Sequence, residues 1–237
     1  MKLDLLVIGA HPDDAEICVG GAMLLLRRAN KKVGVIDVTR GEMGTRGSVA
    51  DRDRETQAAT RALGLEFREN LCLPDGRVTA SFEARESLAR WIRECAPDLV
   101  LAHHTEDLHP DHAAAGELAR QAWYLSGLAR LAERDGGAPP RRPKRLMHFM
   151  GHVPFEPTLV VDVTAVWEAK CEVVRAYASQ LRPEGASDQG KHLLFGADIL
   201  SRMETRARFY GERVGVRYGE PLLHRGPIGV DDLTRWS

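Results

Sequence analysis

Hydrophobic positions in the first half of the chain fall into two alternating patterns. Residues 3–9 form a short apolar run closed by a glycine and read as a buried strand. Asp13 or Asp14 then supplies a helix cap, and Ile17, Leu24 and Leu25 recur at helical spacing over residues 15–29. Residues 33–38 alternate with β-branched side chains as a second strand, after which Ser48 and Asp51 open a polar helix that Gly64 closes. An extended stretch over 66–73 runs into the Pro74-Asp75-Gly76 turn. Ser81 caps a third helix that reaches about Cys95, Pro97 ends it, and residues 98–102 form another buried strand. A fourth helix is expected from about His112 to about Glu133. Further on, 146–150 and 159–163 read as strands, and 164–181 and 198–209 as helices.

Strand–helix–strand alternation at this spacing predicts an α/β fold of mostly parallel strands with helices on both faces. Such sheets bind ligands beyond the carboxyl ends of their strands, where the strand order reverses. Residues 133–145, with two glycines, three prolines and five basic residues, are the one break in composition. They read as an exposed connection, with a mobile lid as the sharper alternative. No linker or repeat divides the chain, so residues 1–237 are expected to form a single domain.

Composition narrows the function. A chain of 237 residues, 43% hydrophobic and 28% charged, is ordinary for a globular protein. Its net charge of −1 disfavours a nucleic-acid binder, and no apolar run is long enough for a membrane span. Four scattered cysteines, Cys18, Cys72, Cys95 and Cys171, suggest neither a disulfide framework nor a thiolate zinc site, so a cytoplasmic setting is expected.

Two segments carry chemistry. His11-Pro12-Asp13-Asp14 follows the first strand, and His109-Pro110-Asp111-His112 follows the strand at 98–102. In a parallel sheet both fall at one edge. His11, Asp14 and His112 would supply a His₂Asp set for Zn²⁺ and leave a position for water, whose pKa such an ion lowers to about 7. The same donors also suit Fe²⁺. Asp13 would remain as a general base and His109 as an acid or oxyanion stabiliser, with the Asp111 carboxylate hydrogen-bonded to that imidazole. Taken singly, each segment also reads as a helix start.

These two motifs, the first extended through Ala15-Glu16, resemble the signature of the LmbE-like, or PIG-L-type, zinc N-deacetylases. The segment Thr39-Arg40-Gly41-Glu42-Met43-Gly44-Thr45-Arg46-Gly47 resembles the bacillithiol-pathway branch of that family. So do Leu73-Pro74-Asp75-Gly76 and the tail from Arg208-Phe209-Tyr210-Gly211-Glu212 to Val216-Arg217-Tyr218-Gly219-Glu220-Pro221. The resemblance implies a Rossmann-like fold, the same roles for His11, Asp13, Asp14, His109, Asp111 and His112, and a homo-oligomer, pointing to a hexamer. It also implies N-acetylglucosaminyl L-malate as substrate. Another small N-acetylglucosamine derivative is the alternative, and a non-catalytic nucleotide- or metal-binding module is the rival from a different class. A nucleotide module would carry a Gly-x-Gly-x-x-Gly turn where His11-Pro12-Asp13-Asp14 stands.

The glycine-rich segment, with Glu42 and Arg46, is either a loop that receives an anionic group or a plain surface loop. The resemblance implies a substrate contact for Arg54. Asp75 would hydrogen-bond sugar hydroxyls or serve only its turn. His103-His104 departs from the family pattern, which leaves the identity of any extra oxyanion-hole residue open. Cys18 is expected in the core rather than as a ligand, and His148 and His152 as hydrogen-bonded structural residues, with His152 near enough to reach the pocket. His192 and His224 carry no motif, and Trp91, Trp123, Trp167 and Trp236 read as core or interface residues.

Overall fold

The computed structural model describes residues 1–181 and 198–229; His192 and Trp236 lie outside the described residues. Leu5–Gly9 (β1) is buried along its whole length at the centre of a seven-stranded sheet. Leu5 and Val7 turn to one face, where they meet Val33 and Val35 and the buried positions of the helix Asp14–Arg28 (α1). Leu6 and Ile8 turn to the other, against Ile36, Val100, Leu88 and Leu118. This period-2 division of an unbroken apolar run produces two cores, one on each side of the sheet, and each fully buried aliphatic side chain contributes about 1.5–3 kcal/mol.

The remaining elements follow in order. They are Val33–Asp37 (β2), Val49–Leu63 (α2), Phe67–Asn70 (β3), Phe82–Cys95 (α3), Leu99–His103 (β4) and Pro110–Leu125 (α4). Then come Ala129–Asp135 (α5), Arg145–Phe149 (β5), Leu159–Asp162 (β6), Trp167–Arg175 (α6), Ile199–Glu212 (α7) and Gly219–His224 (β7). The sheet order is β3-β2-β1-β4-β5-β7-β6. β1 to β5 pair in parallel, whereas β7 lies antiparallel to both β5 and β6. Strand order reverses at β1 and β4, so the segments after these two strands share the crevice where α/β sheets bind ligands.

The caps follow the local sequence. Ser48 and Asp51 form a capping box on α2, Gly64 ends that helix at φ 64°, and Ser81 accepts the Ala84 N–H at the start of α3. Three expectations need correction. The fourth helix stops at Leu125, and α5 begins separately at Ala129. Arg142 lies against Gly127 between them, Ser126 O accepts from Arg141, and a Cβ on Gly127 would meet the Arg142 guanidinium at 3.0 Å. The connection after α5 is therefore tied to the carboxyl end of α4 and, through Lys144 N–H to Asp98 O, to the start of β4. That is the sheet edge opposite the crevice, so it is no lid. Residues 164–181 hold only a 3₁₀ turn (Thr164–Val166) and the short α6.

The strand β7 was not expected, and it has an internal role. α1 is kinked at Val19 (φ −137°), and the N–H groups of Gly21 and Ala22 just beyond the kink turn to a side chain. Glu220 of β7 accepts both at 2.8 Å and pairs with Lys170 Nζ at 2.6 Å; both charged side chains are buried. A side chain at Gly21 would fall 2.6 Å from Val163 and 2.8 Å from Glu220, so the close approach requires glycine. Among the described residues, no helix is long and apolar enough to cross a membrane.

Candidate metal centre

β1 delivers His11 to Asp14 to the crevice, and β4 with the first turn of α4 delivers His103 to His112. Neither carboxylate at the start of α1 caps that helix. Asp13 occupies the cap position without a side-chain cap bond and at φ 119°, a backbone conformation unfavourable for a residue with a Cβ. Asp14 Oδ2 instead accepts the His11 N–H at 2.8 Å and lies 3.0 Å from His103 Nε2. The plain helix-start reading of His11-Pro12-Asp13-Asp14 therefore fails, since its carboxylates face inward to the crevice and strain marks a constrained position.

His11, Asp14 and His112 come together. His11 Nδ1 lies 3.4 Å from Asp14 Oδ2, and His112 Nε2 lies 3.4 Å from Asp14 Oδ1. Each separation taken alone is close to about 3.3 Å, the edge of a tetrahedron with bonds of about 2.0–2.1 Å, with Asp14 turning one oxygen to each imidazole. Donor atoms also cluster within 4.8 Å in the overlapping groups His11–His109–His112 and Asp14–His103–His112. Each imidazole meets a carboxylate through its other nitrogen. His11 Nε2 lies 3.0 Å from Asp75 and 3.4 Å from Asp111, and His112 Nδ1 faces Asp107 at 3.3 Å, off the line of a good hydrogen bond. These partners place the proton on the outer nitrogen and leave the inner lone pair free, the arrangement that prepares histidine for a cation. The residues present thus fit a divalent ion.

The crevice also favours positive charge, here a proton on His11 where no cation competes. Burial alone would depress the His11 imidazole, but hydrogen bonds to Asp111, Asp14 and Asp75 outweigh it and push it up to about 12. Burial would raise Asp14, yet His112 and His103 hold it well below the usual carboxylate range. Asp107 is likewise kept low, against its burial, by His112, His152 and the His109 N–H. Asp13 differs: burial lifts it to about 6, although Arg52 opposes the rise. A pocket this rich in carboxylate attracts positive charge.

Asp13 Oδ2 accepts from Arg52 NH1 at 2.8 Å, and the same guanidinium donates to Pro12 O at 2.7 Å. Arg54, the expected arginine, is instead on the exposed face of α2, paired with Asp51. The helical offset explains the correction: Arg52 projects from α2 toward the crevice, and a step of two residues turns a side chain to the opposite side. Arg46 is exposed, and among the described residues it is engaged through its backbone carbonyl, by Gln180. Arg40 is spent on Asp53 at 2.6 Å. Glu42 accepts the Asp75 and Arg40 N–H groups, so it braces the turn.

Asp111 does not orient His109 through its carboxylate. That carboxylate accepts the Gly76 and Val78 N–H groups at 2.6 and 3.1 Å, and it is the backbone N–H of Asp111 that donates to His109 Nδ1 at 3.2 Å. His109 caps α4, and a side chain in that position points back to its own helix's N–H groups. Its Nε2 is left as the protonated, donor nitrogen, and burial with the nearby His112 and His11 keeps the ring's pKa down. Asp75 has both oxygens engaged, by His11 and by the Met43 N–H at 2.7 Å.

Arg52 and Asp107 were missed, and His103 was singled out in the sequence without a role. Asp107 had a signal in its position two residues before His109, whose N–H it accepts at 2.9 Å. His152 reaches the cluster through Asp107 at 2.8 Å, while His148 is a buried structural residue bonded to His103 O. Cys18 is half-buried against the core, outside every donor cluster.

The chain can be compared with known proteins at this point. Residues 6–123 match the PIG-L family model, described as GlcNAc-PI de-N-acetylase. Diacetylchitobiose deacetylase of Thermococcus kodakarensis is 28% identical over 92% of this chain and 81% of its own length. A probable N-acetyl-α-D-glucosaminyl L-malate deacetylase of Bacillus anthracis is 28% identical over 69% of this chain and 86% of its own. The solved structure of a conserved protein from Thermus thermophilus superposes with a TM-score of 0.85 at 35% identity, over 99% of this chain and all of that one. The matched segment runs from β1 through most of α4 and so contains both motifs of the crevice: the chain belongs to the PIG-L, or LmbE-like, family.

Proposed function

We propose that the chain is a metal-dependent hydrolase that removes the acetyl group from an N-acetylglucosamine unit. One observation carries the reading: His11, Asp14 and His112 converge, while the half-buried Asp13 beside them is spent neither on a helix cap nor on a metal edge. A divalent ion held there, Zn²⁺ in this proposal, supplies Lewis-acid polarisation and an activated water. Asp13 takes the proton of the attacking water and passes it to the glucosamine nitrogen as the C–N bond breaks, so that acetate and the free amine leave, and Arg52 holds its carboxylate in place. His109 donates its Nε2–H to the oxyanion, while the Asp111 amide fixes that tautomer. Asp75 and Asp111 hold His11 by its outer nitrogen, a positioning role rather than a contact to sugar.

The finer reading is N-acetylglucosaminyl L-malate as substrate, supported by the relative from Bacillus anthracis. A neutral N-acetylglucosamine oligomer is the second reading. It is favoured because Arg40 and Arg54 are neutralised by Asp53 and Asp51, and because Met43 and Leu108, beside the centre in sequence, are exposed. The test is acetate release from N-acetylglucosaminyl malate, diacetylchitobiose and free N-acetylglucosamine, with metal analysis on the same preparation. About one divalent ion per chain and acetate from at least one substrate are expected. A metal-loaded protein that releases none rejects hydrolysis. On either substrate reading Arg54→Ala leaves the preference unchanged, because that side chain stands away from the crevice.

A pH prediction follows from Arg52. The active form of Asp13 is the carboxylate, so the rate falls as pH drops through its pKa. Arg52 lowers that pKa, and Arg52→Met removes the opposing charge. The acid limb of kcat/KM is therefore expected to move to higher pH. An unmoved limb would assign it to another group.

A further inference from the structure

We propose that His103 is a positioning residue of the metal centre, holding Asp14 by a hydrogen bond while its ring supports His112. The inference rests on the metal-binding reading above and adds a residue at the carboxyl end of β4.

His103 is the last residue of β4 and is wholly buried. Its Nε2 lies 3.0 Å from Asp14 Oδ2. A carboxylate only accepts, so Nε2 must carry the proton and cannot itself hold a cation. Nδ1 then bears the lone pair, and it is buried without a partner. The other tautomer would be worse, with an orphaned N–H at Nδ1 and a lone pair facing the carboxylate at Nε2. Oδ2 of Asp14 is thereby fixed from two sides, by His11 N–H and His103, which leaves Oδ1 facing His112 Nε2.

The same ring lies over His112, with centroids 4.1 Å apart and planes at 24°, and rests on Phe149 at 4.5 Å. Its own backbone cannot drift. His103 O accepts from His148 Nδ1 at 2.8 Å, and α4 crosses so closely that a Cβ on Gly116 would come within 2.6 Å of that oxygen. One immobile residue therefore touches two of the three proposed ligands. Partners of this kind typically govern 10–100-fold in metal affinity.

The test measures zinc dissociation constants by chelator competition on wild type and on His103→Phe, His103→Gln and His103→Asn, with thermal melting of the metal-free proteins. His103→Phe keeps the ring and loses the donor, so its affinity is expected to fall roughly 10–100-fold. The amide nitrogen of glutamine reaches about where Nε2 stood, so His103→Gln should restore most of the affinity. Asparagine reaches only the Nδ1 position, so His103→Asn should behave like the phenylalanine variant. If His103→Phe melts too low to assay, the glutamine and asparagine variants carry the comparison. Wild-type affinity in the phenylalanine variant, or equal affinity in the glutamine and asparagine variants, overturns the proposal. A wild type that binds zinc no better than His112→Ala overturns the metal reading itself, which is a separate outcome.

Discussion

Replacing Asp13 by asparagine is expected to leave bound metal unchanged and to lower kcat by roughly 10²–10⁴-fold. Among the described residues the side chain makes one hydrogen bond, with Arg52, and asparagine keeps an oxygen for it. Asparagine also tolerates positive φ better than most residues, so the backbone at 119° does not confuse the result. What is lost is the ability to accept a proton. Asp14→Asn makes the contrast: it replaces a carboxylate that meets His11, His103 and His112 and is expected to lose metal along with rate. Acetate release and metal content, measured together, separate the two. Equal metal content and full activity in both variants would end the division of roles between these adjacent residues.

The largest effect on stability is expected at Glu220. Glu220→Ala strands the Lys170 ammonium, buried in the same core, and orphans the Gly21 and Ala22 N–H groups at the kink of α1. Breaking a buried pair from one side costs about 3–5 kcal/mol. Urea unfolding of Glu220→Ala should show a loss of that size, and Lys170→Met combined with Glu220→Gln should recover much of it. A loss confined to the range of surface substitutions would mean that water reaches Lys170.

Much of this fold was legible. Residues 5–103 carry strong local signals, namely apolar runs, Ser48 and Ser81 caps and Gly64, and β1 to β4 with α1 to α3 appear where those signals put them. β7 was not legible, because it contains Pro221 and a buried Glu220, both poor strand signals, and owes its place to pairing with β5 and β6. The break between α4 and α5 depends on Arg142, which is distant in sequence. In the crevice, residue types and spacing identified His11, Asp14 and His112. The partners of those residues were harder. Whether Arg52 or Arg54 faces Asp13 depends on the rotation of α2, and whether Asp111 meets His109 or His11 depends on how α4 is capped. Neither is encoded within a motif.

The place of β7 in the sheet also governs when the fold can be completed. Last in sequence among the described strands, it lies between β5 and β6, which do not pair with each other. During synthesis the sheet must therefore wait at β5 with an open edge until residues 219–224 have emerged. Until then α1, which carries Asp14 in its first turn, also lacks the carboxylate that completes its kink. An open edge beside apolar side chains is a site for pairing with other chains. The nascent protein is thus most exposed to association just before β7 inserts, and the kink of the helix that carries Asp14 is completed by that same late event.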